Sequence, residues 1–166
     1  MGKWRQVLGS LVKRRPNAPV ALEEREGKSC LGYGFDLLQN DGTRDFRWSR
    51  RFFGFFVEDA PLRKVTLVLG SDHETKLSVS INDIAVETGM LKVGEQVIAV
   101  RPPRDASAVV AHVAFTLEHT WRAPDDPRKL GVRLLVLRVS TDREVVCYPA
   151  ASKPCGPVDF DASPNA

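Results

Sequence analysis

The stretch VVAHVAFTLEHTWRAPDDPRKLGVRLLVLRV, residues 109–139, decides the fold class of this chain of 166 residues. In residues 109–121 apolar odd-numbered positions alternate with more polar neighbours, and successive side chains of a strand point to opposite faces of a sheet. Residues 132–139 are apolar except at Arg133 and Arg138, which is typical of a strand covered on both faces. The stretch therefore predicts two core strands joined by a charged, proline-rich loop. We expect one face of the first strand to be buried, namely Val109, Ala111, Val113, Phe115, Leu117, His119 and Trp121.

Short apolar runs recur along the rest of the chain at intervals of about ten residues, as in all-β domains. The candidate strands are residues 31–38, 51–58, 63–69, 77–81, 95–100, 109–121 and 131–139. Residues that can reverse the chain lie between them, namely Asn40-Asp41-Gly42, Gly70-Ser71-Asp72, Asn82-Asp83 and Pro102-Pro103. We predict an all-β fold, an antiparallel β-sandwich or jelly roll. We expect one core to contain Val65, Leu67, Leu69, Val113, Phe115 and Leu117.

The two ends of the chain differ from this pattern. Residues 1–15 place apolar side chains at helical spacing among basic ones, which predicts a short N-terminal amphipathic helix. Such a helix could bind an anionic membrane surface, a partner protein or its own domain. We interpret residues 1–28 as this helix and a polar linker, residues 29–147 as the β-sandwich domain, and residues 148–166 as a flexible proline-rich tail.

The composition is that of a soluble globular protein, with 43% hydrophobic residues and a net charge of +3. That charge is too small to indicate nucleic acid. Cys30, Cys147 and Cys155 are an odd number without zinc-type spacing, so they suit a reducing compartment. No run reaches the roughly twenty apolar residues that a membrane span needs. We expect a cytoplasmic protein, with peripheral attachment to the inner membrane as an alternative.

Known catalytic and metal-binding patterns are not found in the sequence. His112 and His119 would lie on opposite faces of one strand, so they could not bind a metal together. The Gly32-Tyr33-Gly34 segment precedes a strand rather than a helix, unlike a phosphate-binding loop. We expect no cofactor, no metal and no catalytic activity. A small sandwich-fold enzyme that uses an inward-pointing His119 is an alternative.

Arginines and aromatic residues interleave in residues 44–57, RDFRWSRRFFGFFV, as they do in single-stranded nucleic-acid platforms. An RNA-recognition fold would need two helices behind its sheet, and no helical pattern lies at those places. We therefore predict no nucleic-acid partner. We expect a core strand with buried phenylalanines and arginines at its exposed rim.

The loop of residues 122–131 offers a possible polar site beside Trp121. An arginine can bind a carboxylate through two hydrogen bonds, and Asp126 is close to Arg128 in sequence. Either these groups form a polar rim for a sugar, or they form an internal clasp while Trp121 belongs to the core. The sequence leaves both open.

Three short motifs resemble those of a known bacterial module. They are Phe46-Arg47-Trp48-Ser49, Thr120-Trp121-Arg122-Ala123-Pro124, and residues 126–132, DPRKLGV. Together they resemble a β-sandwich module similar to carbohydrate-binding jelly rolls, which occurs fused to, or encoded near, glycosyltransferases for surface polysaccharides. The resemblance covers residues 33–139.

The resemblance implies a non-catalytic, carbohydrate-binding accessory module that acts with glycan-assembly enzymes. Its partner would be a carbohydrate or a glycosyltransferase on a separate chain. The ligand contacts that it implies are Trp121, Arg128, Asp126, Trp48, Arg47 and Tyr33. A protein-binding adaptor without sugar affinity is the alternative from another class.

Overall fold

The computed structural model describes residues 20–25, 28–58, 61–104, 110–143 and 145–148, and this part of the chain forms strands and no helix. All strand pairs are antiparallel. The strands are β1 Val20–Arg25, β2 Lys28–Phe35, β3 Gln39–Asn40, β4 Asp45–Val57, β5 Leu62–Ser71, β6 Thr75–Ile81, β7 Ile84–Leu91, β8 Gly94–Val100, β9 Ala111–Leu117, β10 Arg133–Thr141 and β11 Val145–Tyr148. The predicted all-β, antiparallel class is confirmed.

The main path through the sheet is β7-β6-β9-β4-β10-β5-β8. Strand β4 pairs through its C-terminal half with β9 and through Arg47 and Trp48 with β10. Strand β2 pairs along β4 as well, and β1 and β11 extend the sheet beside β2 and β10. Apolar side chains from both ends of the path meet in one core, so the sheet curves until it is nearly closed like a barrel.

The core confirms that the predicted apolar faces of β9 and β5 pack together. Val113, Phe115 and Leu117 lie in one buried cluster with Val65, Leu67 and Leu69. Phe115 is 1% exposed and stacks on Phe53 with ring centroids 4.9 Å apart. Period-two alternation therefore located the buried face of β9, because one face of a strand must be apolar when it covers a core.

Strand β9 is shorter than predicted, and this changes two assignments. It ends at Leu117, and Trp121 forms only an isolated bridge with Leu130. Beyond the strand, the backbone N–H of His119 donates to the hydroxyl of the buried Thr75 instead of to a backbone oxygen. The side chain of His119 is 73% exposed. The prediction that His119 points into the core is wrong, because the alternation stops two residues before it.

Several elements were not predicted. Strand β1 lies in the segment interpreted as a linker, and β7 was missed because its side chains are mostly exposed and show no alternation. Strands β3 and β11 are short. The expected N-terminal helix of residues 1–15 lies outside the described residues, as does the tail from residue 149 onward.

The predicted turn at Asn82 and Asp83 is confirmed. These residues connect β6 to β7 and have φ values of 50° and 66°. Two consecutive positive φ angles are typical of a tight hairpin whose twist matches its strands, and Asn and Asp tolerate this conformation. The turn fixes the register of β7 beside β6.

Replacement of Phe115 by alanine should lower the free energy of unfolding by about 3–5 kcal/mol, because it empties a buried aromatic site. The matched control is Phe52→Ala on β4, where the ring is 58% exposed and the loss should stay below about 1 kcal/mol. Urea unfolding measures both. A loss below about 1 kcal/mol for Phe115→Ala would place this ring outside the core.

Candidate functional site

The charged side chains of the loop between β9 and β10 bind each other. The Nε of Arg128 donates to both carboxylate oxygens of Asp126 at 2.9 Å. Its Nη1 donates to Asp36 Oδ2 at 2.9 Å, and Arg50 Nη2 donates to Asp36 Oδ1 at 2.7 Å. The Asp36 side chain is only 2% exposed. Two arginines and two carboxylates thus form a network that connects the loop to β4 and to the end of β2.

The network controls the protonation of Asp126. Hydrogen bonds from the side chain and backbone of Arg128 lower the pKa of Asp126 from 3.8 to about 2. The same side-chain hydrogen bond is the main cause of a raised pKa for Arg128. Both groups are therefore charged at neutral pH and satisfied by protein partners, as expected of the internal clasp.

The tryptophans of the loop region belong to a second apolar cluster. Its buried members are Phe46, Trp48, Leu130 and Leu135, with Val68 and Trp121 packed against them. Trp48 is 8% exposed and meets the half-buried Trp121 edge to face at 5.7 Å. The guanidinium of Arg133 lies 5.8 Å from the Trp48 ring centroid. Trp48 thus presents little ring surface to a ligand.

Arg47 and Tyr33 have separate positions. Arg47 Nη1 donates to the backbone oxygen of Asp36 at 3.1 Å, so Arg47 supports the same corner as the ionic network. Tyr33 lies on β2 opposite Gly54 of β4. The structure therefore brings together five of the six residues implied by the resemblance and places Tyr33 on another surface.

Tyr33 belongs to an aromatic group on the sheet face opposite the core. Its hydroxyl lies 2.9 Å from His112 Nε2, and His112 stacks on Phe56 with ring centroids 4.6 Å apart. Burial, followed by the negative charge of Asp83, raises the pKa of Tyr33 above 10.0. The Tyr33 hydroxyl therefore keeps its proton at neutral pH.

Strand register arranges this surface in three rows across the sheet, which we call the outer face. The first row is Phe52, Thr116, Ser78 and Thr88, from β4, β9, β6 and β7. The second row is Gly54, Ala114, Ser80 and Ala85, and the third is Phe56 and His112. The outer face thus has a line of hydroxyls, a central line of small residues and an aromatic edge.

The outer face is accessible and chemically mixed. Phe52 and Phe56 are 58% and 42% exposed. Within the described ranges, the hydroxyls of Thr116, Ser78 and Thr88 form no hydrogen bond with the protein. The charged groups next to the three rows are Arg51, whose guanidinium lies 5.4 Å from the Phe52 ring centroid, and Asp83, whose charge acts on Tyr33. Aromatic surface and available hydroxyls therefore lie side by side.

Sequence reasoning missed Phe52, Phe56 and His112 as candidate binding residues. The expectation that the phenylalanines of β4 are buried is correct for Phe53 and Phe55 but wrong for Phe52 and Phe56. The signal was present, because Phe52 and Phe56 have the opposite parity to the two buried rings. What the sequence did not show was that both faces of this strand are aromatic while only one covers the core.

No group of three or more His, Cys, Asp or Glu residues in the described part of the chain could bind a metal ion. Among the same residues, no helix has the length and apolar character required to cross a membrane.

The comparisons with known proteins include a distant structural likeness. No protein-family model and no curated protein matches this chain. An acetyl xylan esterase from the rumen bacterium Butyrivibrio proteoclasticus is similar in structure, with a TM-score of 0.37 and 19% identity. The match covers 61% of this chain and 26% of the esterase, so the chain spans about a quarter of that protein.

Replacement of Arg128 by lysine should lower the free energy of unfolding by about 1–2 kcal/mol, because lysine keeps the charge but loses the planar group that binds Asp126 and Asp36 together. The matched control is Arg63→Lys, since Arg63 pairs with Asp142 at an exposed site and exposed pairs contribute little. Denaturant unfolding measures both variants. Equal effects would show that the Arg128 network does not hold the loop.

The ionic network should also make stability depend on pH. A carboxyl whose pKa is lower in the folded state contributes stability above its unfolded pKa, and this contribution is lost as pH falls through the folded pKa. The Asp126 contribution should therefore decline between about pH 4 and pH 2. Thermal melting should show a smaller decline for Asp126→Asn in this window. Superimposable pH profiles of the variant and the unaltered protein would contradict the assignment.

Proposed function

We propose that this chain is a non-catalytic accessory module of the antiparallel β-sandwich or jelly-roll type, and that it binds carbohydrate on its outer face. The observation that carries the proposal is the exposed line of aromatic rings beside a line of hydroxyls. The network around Arg128 has a structural role in this proposal, because its charges already have protein partners.

Sugars present two kinds of surface, and the outer face complements both. The C–H groups of a pyranose ring pack against aromatic rings, while its hydroxyls need hydrogen-bonding partners at the side. Phe52 and Phe56 supply exposed aromatic surface, and Thr116, Ser78 and Thr88 supply donors and acceptors. Serine and threonine hydroxyls can both donate and accept, so they suit a ligand composed of hydroxyl groups.

The side chains that form the three rows suit a neutral ligand. Since the three rows contain only short polar, small and aromatic side chains and one histidine, no ion pair would have to be broken or desolvated on binding. The guanidinium of Arg51 lies over the Phe52 ring, but it already donates to the backbone oxygen of Leu117. We therefore propose a neutral glycan as the ligand class.

The proposed partner is a glycan-assembly enzyme, a glycosyltransferase on a separate chain, and the proposed location is the bacterial cytoplasm. The support for both is the resemblance of the motifs at Trp48, Trp121 and Arg128. The basic, apolar pattern of residues 1–15 would provide peripheral attachment to the anionic inner membrane.

Phe52→Ala should weaken saccharide binding about tenfold, equivalent to roughly 1.4 kcal/mol, because it removes an exposed stacking surface and little of the core. Isothermal titration with linear gluco-, manno- and galacto-oligosaccharides measures the effect. The matched control is Val97→Ala on β8, where a similarly exposed apolar side chain lies away from the outer face. Arg128→Lys is the second control and should bind as the unaltered protein does.

The alternatives predict different results. An adaptor that binds only protein would bind none of these saccharides, and a pull-down against glycosyltransferase chains would then be unaffected by Phe52→Ala. If saccharide binding were lost in Arg128→Lys and kept in Phe52→Ala, the ligand would lie at the loop beside Trp121 instead.

A further inference from the structure

We infer that the outer face accepts the end of a glycan chain, because its central row is closed at one end by Tyr33 and open at the other. This inference rests on the proposed function and specifies which part of a glycan is recognised. It depends on the position of one aromatic ring relative to the strand register.

The closed end lies over β4. The backbone of Tyr33 belongs to β2 and lies opposite Gly54, yet its hydroxyl reaches His112 on β9. The side chain therefore crosses β4. A Cβ atom added to Gly54 would lie 2.7 Å from the Tyr33 hydroxyl and 2.8 Å from Cζ, so the ring rests directly on this glycine. The first position of the small-residue row is thus occupied by protein.

In the part of the chain that the structure describes, the remainder of the central row is partly or fully exposed. It continues through Ala114 and Ser80 to Ala85 on β7, where the side chain is exposed. Strand β7 is the last strand on this end of the main path. A ligand lying in the row can therefore extend past β7 into solvent, but it cannot extend across β4 without displacing Tyr33.

The open part of the row is short. From β9 to β7 it crosses two strand spacings, about 10 Å. The hydroxyls of Thr116, Ser78 and Thr88 lie along one side of this distance, and His112 lies on the other side at its closed end. A terminal sugar over Ala114 would lie between the Tyr33–His112 pair on one side and Phe52 and Thr116 on the other. The next sugar would meet the hydroxyls of Ser78 and Thr88, and later sugars would leave the surface.

Protein contacts hold Tyr33 in this position. The hydroxyl is bound to His112, and the ring lies 6.3 Å from the Phe56 ring and 5.6 Å from the imidazole, between centroids. Gly54 is required beneath the ring, since any side chain there would collide with it. Removal of the ring would join the central row to the region of β2 and convert a closed end into an open one.

The test is the number of protein molecules that bind one long, linear saccharide. The probes are linear gluco-, manno- and galacto-oligosaccharides and a polymer of defined length from whichever series binds. The unaltered protein should gain no affinity beyond short oligosaccharides and should bind the polymer at one site per recognised end, measured by titration calorimetry. Tyr33→Ala should bind at several sites along each polymer chain. Tyr33→Phe keeps the ring and should retain end binding.

Two results would overturn the inference and they are distinguishable. If the unaltered protein binds short oligosaccharides but also binds many sites per polymer chain, the proposed function stands and recognition of an end is wrong. If it binds no probe of any series, the proposed function fails and the inference fails with it. Thermal melting of Tyr33→Ala and Tyr33→Phe shows whether each variant is folded.

Discussion

Strand β4 pairs with β9 in one half of the sheet, β7-β6-β9, and with β10 in the other half, β10-β5-β8. The rest of the structure depends on this double pairing. Its residues Phe52–Val57 pair with β9, while Trp48 and Arg47 pair with Arg133 and Leu134 of β10. Between them, the buried Ser49 exchanges backbone hydrogen bonds of 2.8 Å with Gly131 and Val132. A Cβ atom at Gly131 would lie 2.6 Å from Leu117 Cδ1 and still closer to Ser49 Oγ. Only glycine at position 131 allows this segment to approach Ser49 of β4 closely enough to join the two halves of the sheet.

The double pairing explains the position of the charged loop. The segment between β9 and β10 lies beside β4, where Arg128 contacts Asp36 at the end of β2. Asp36, Arg50, Asp126 and Arg128 hold the segment electrostatically, and the cluster around Trp48 holds it through apolar contacts. A conspicuous motif with two tryptophans, arginines and aspartates can thus be explained by folding alone.

The sequence could predict local alternation but not long-range neighbours. The buried face of β9 followed from period two, and the hairpin at Asn82 and Asp83 followed from residue type. The contact between Asp36 and Arg128 joins positions 92 residues apart, and no local pattern indicates it. Strand β7 was missed for a physical reason, since an edge strand with few buried side chains has no alternation to detect.

The same limit applies to the candidate site. The sequence shows that Phe52 and Phe56 share one face of β4 and Phe53 and Phe55 the other, but it does not show which of these faces covers the core. The row of hydroxyls exists only because β9, β6 and β7 are in register, and three separate segments contribute to it. The motif resemblance implies ligand contacts around the loop and at Tyr33, and of these only Tyr33 lies on this face.

We propose that the outer face, and not the loop of residues 122–131, is the ligand surface. Backbone amide chemical shifts recorded by NMR during titration with a linear oligosaccharide test it most directly. The account predicts the largest shifts at residues 52–56, 78–80 and 112–116, with residues 122–131 unchanged. Shifts concentrated in residues 122–131 would contradict it.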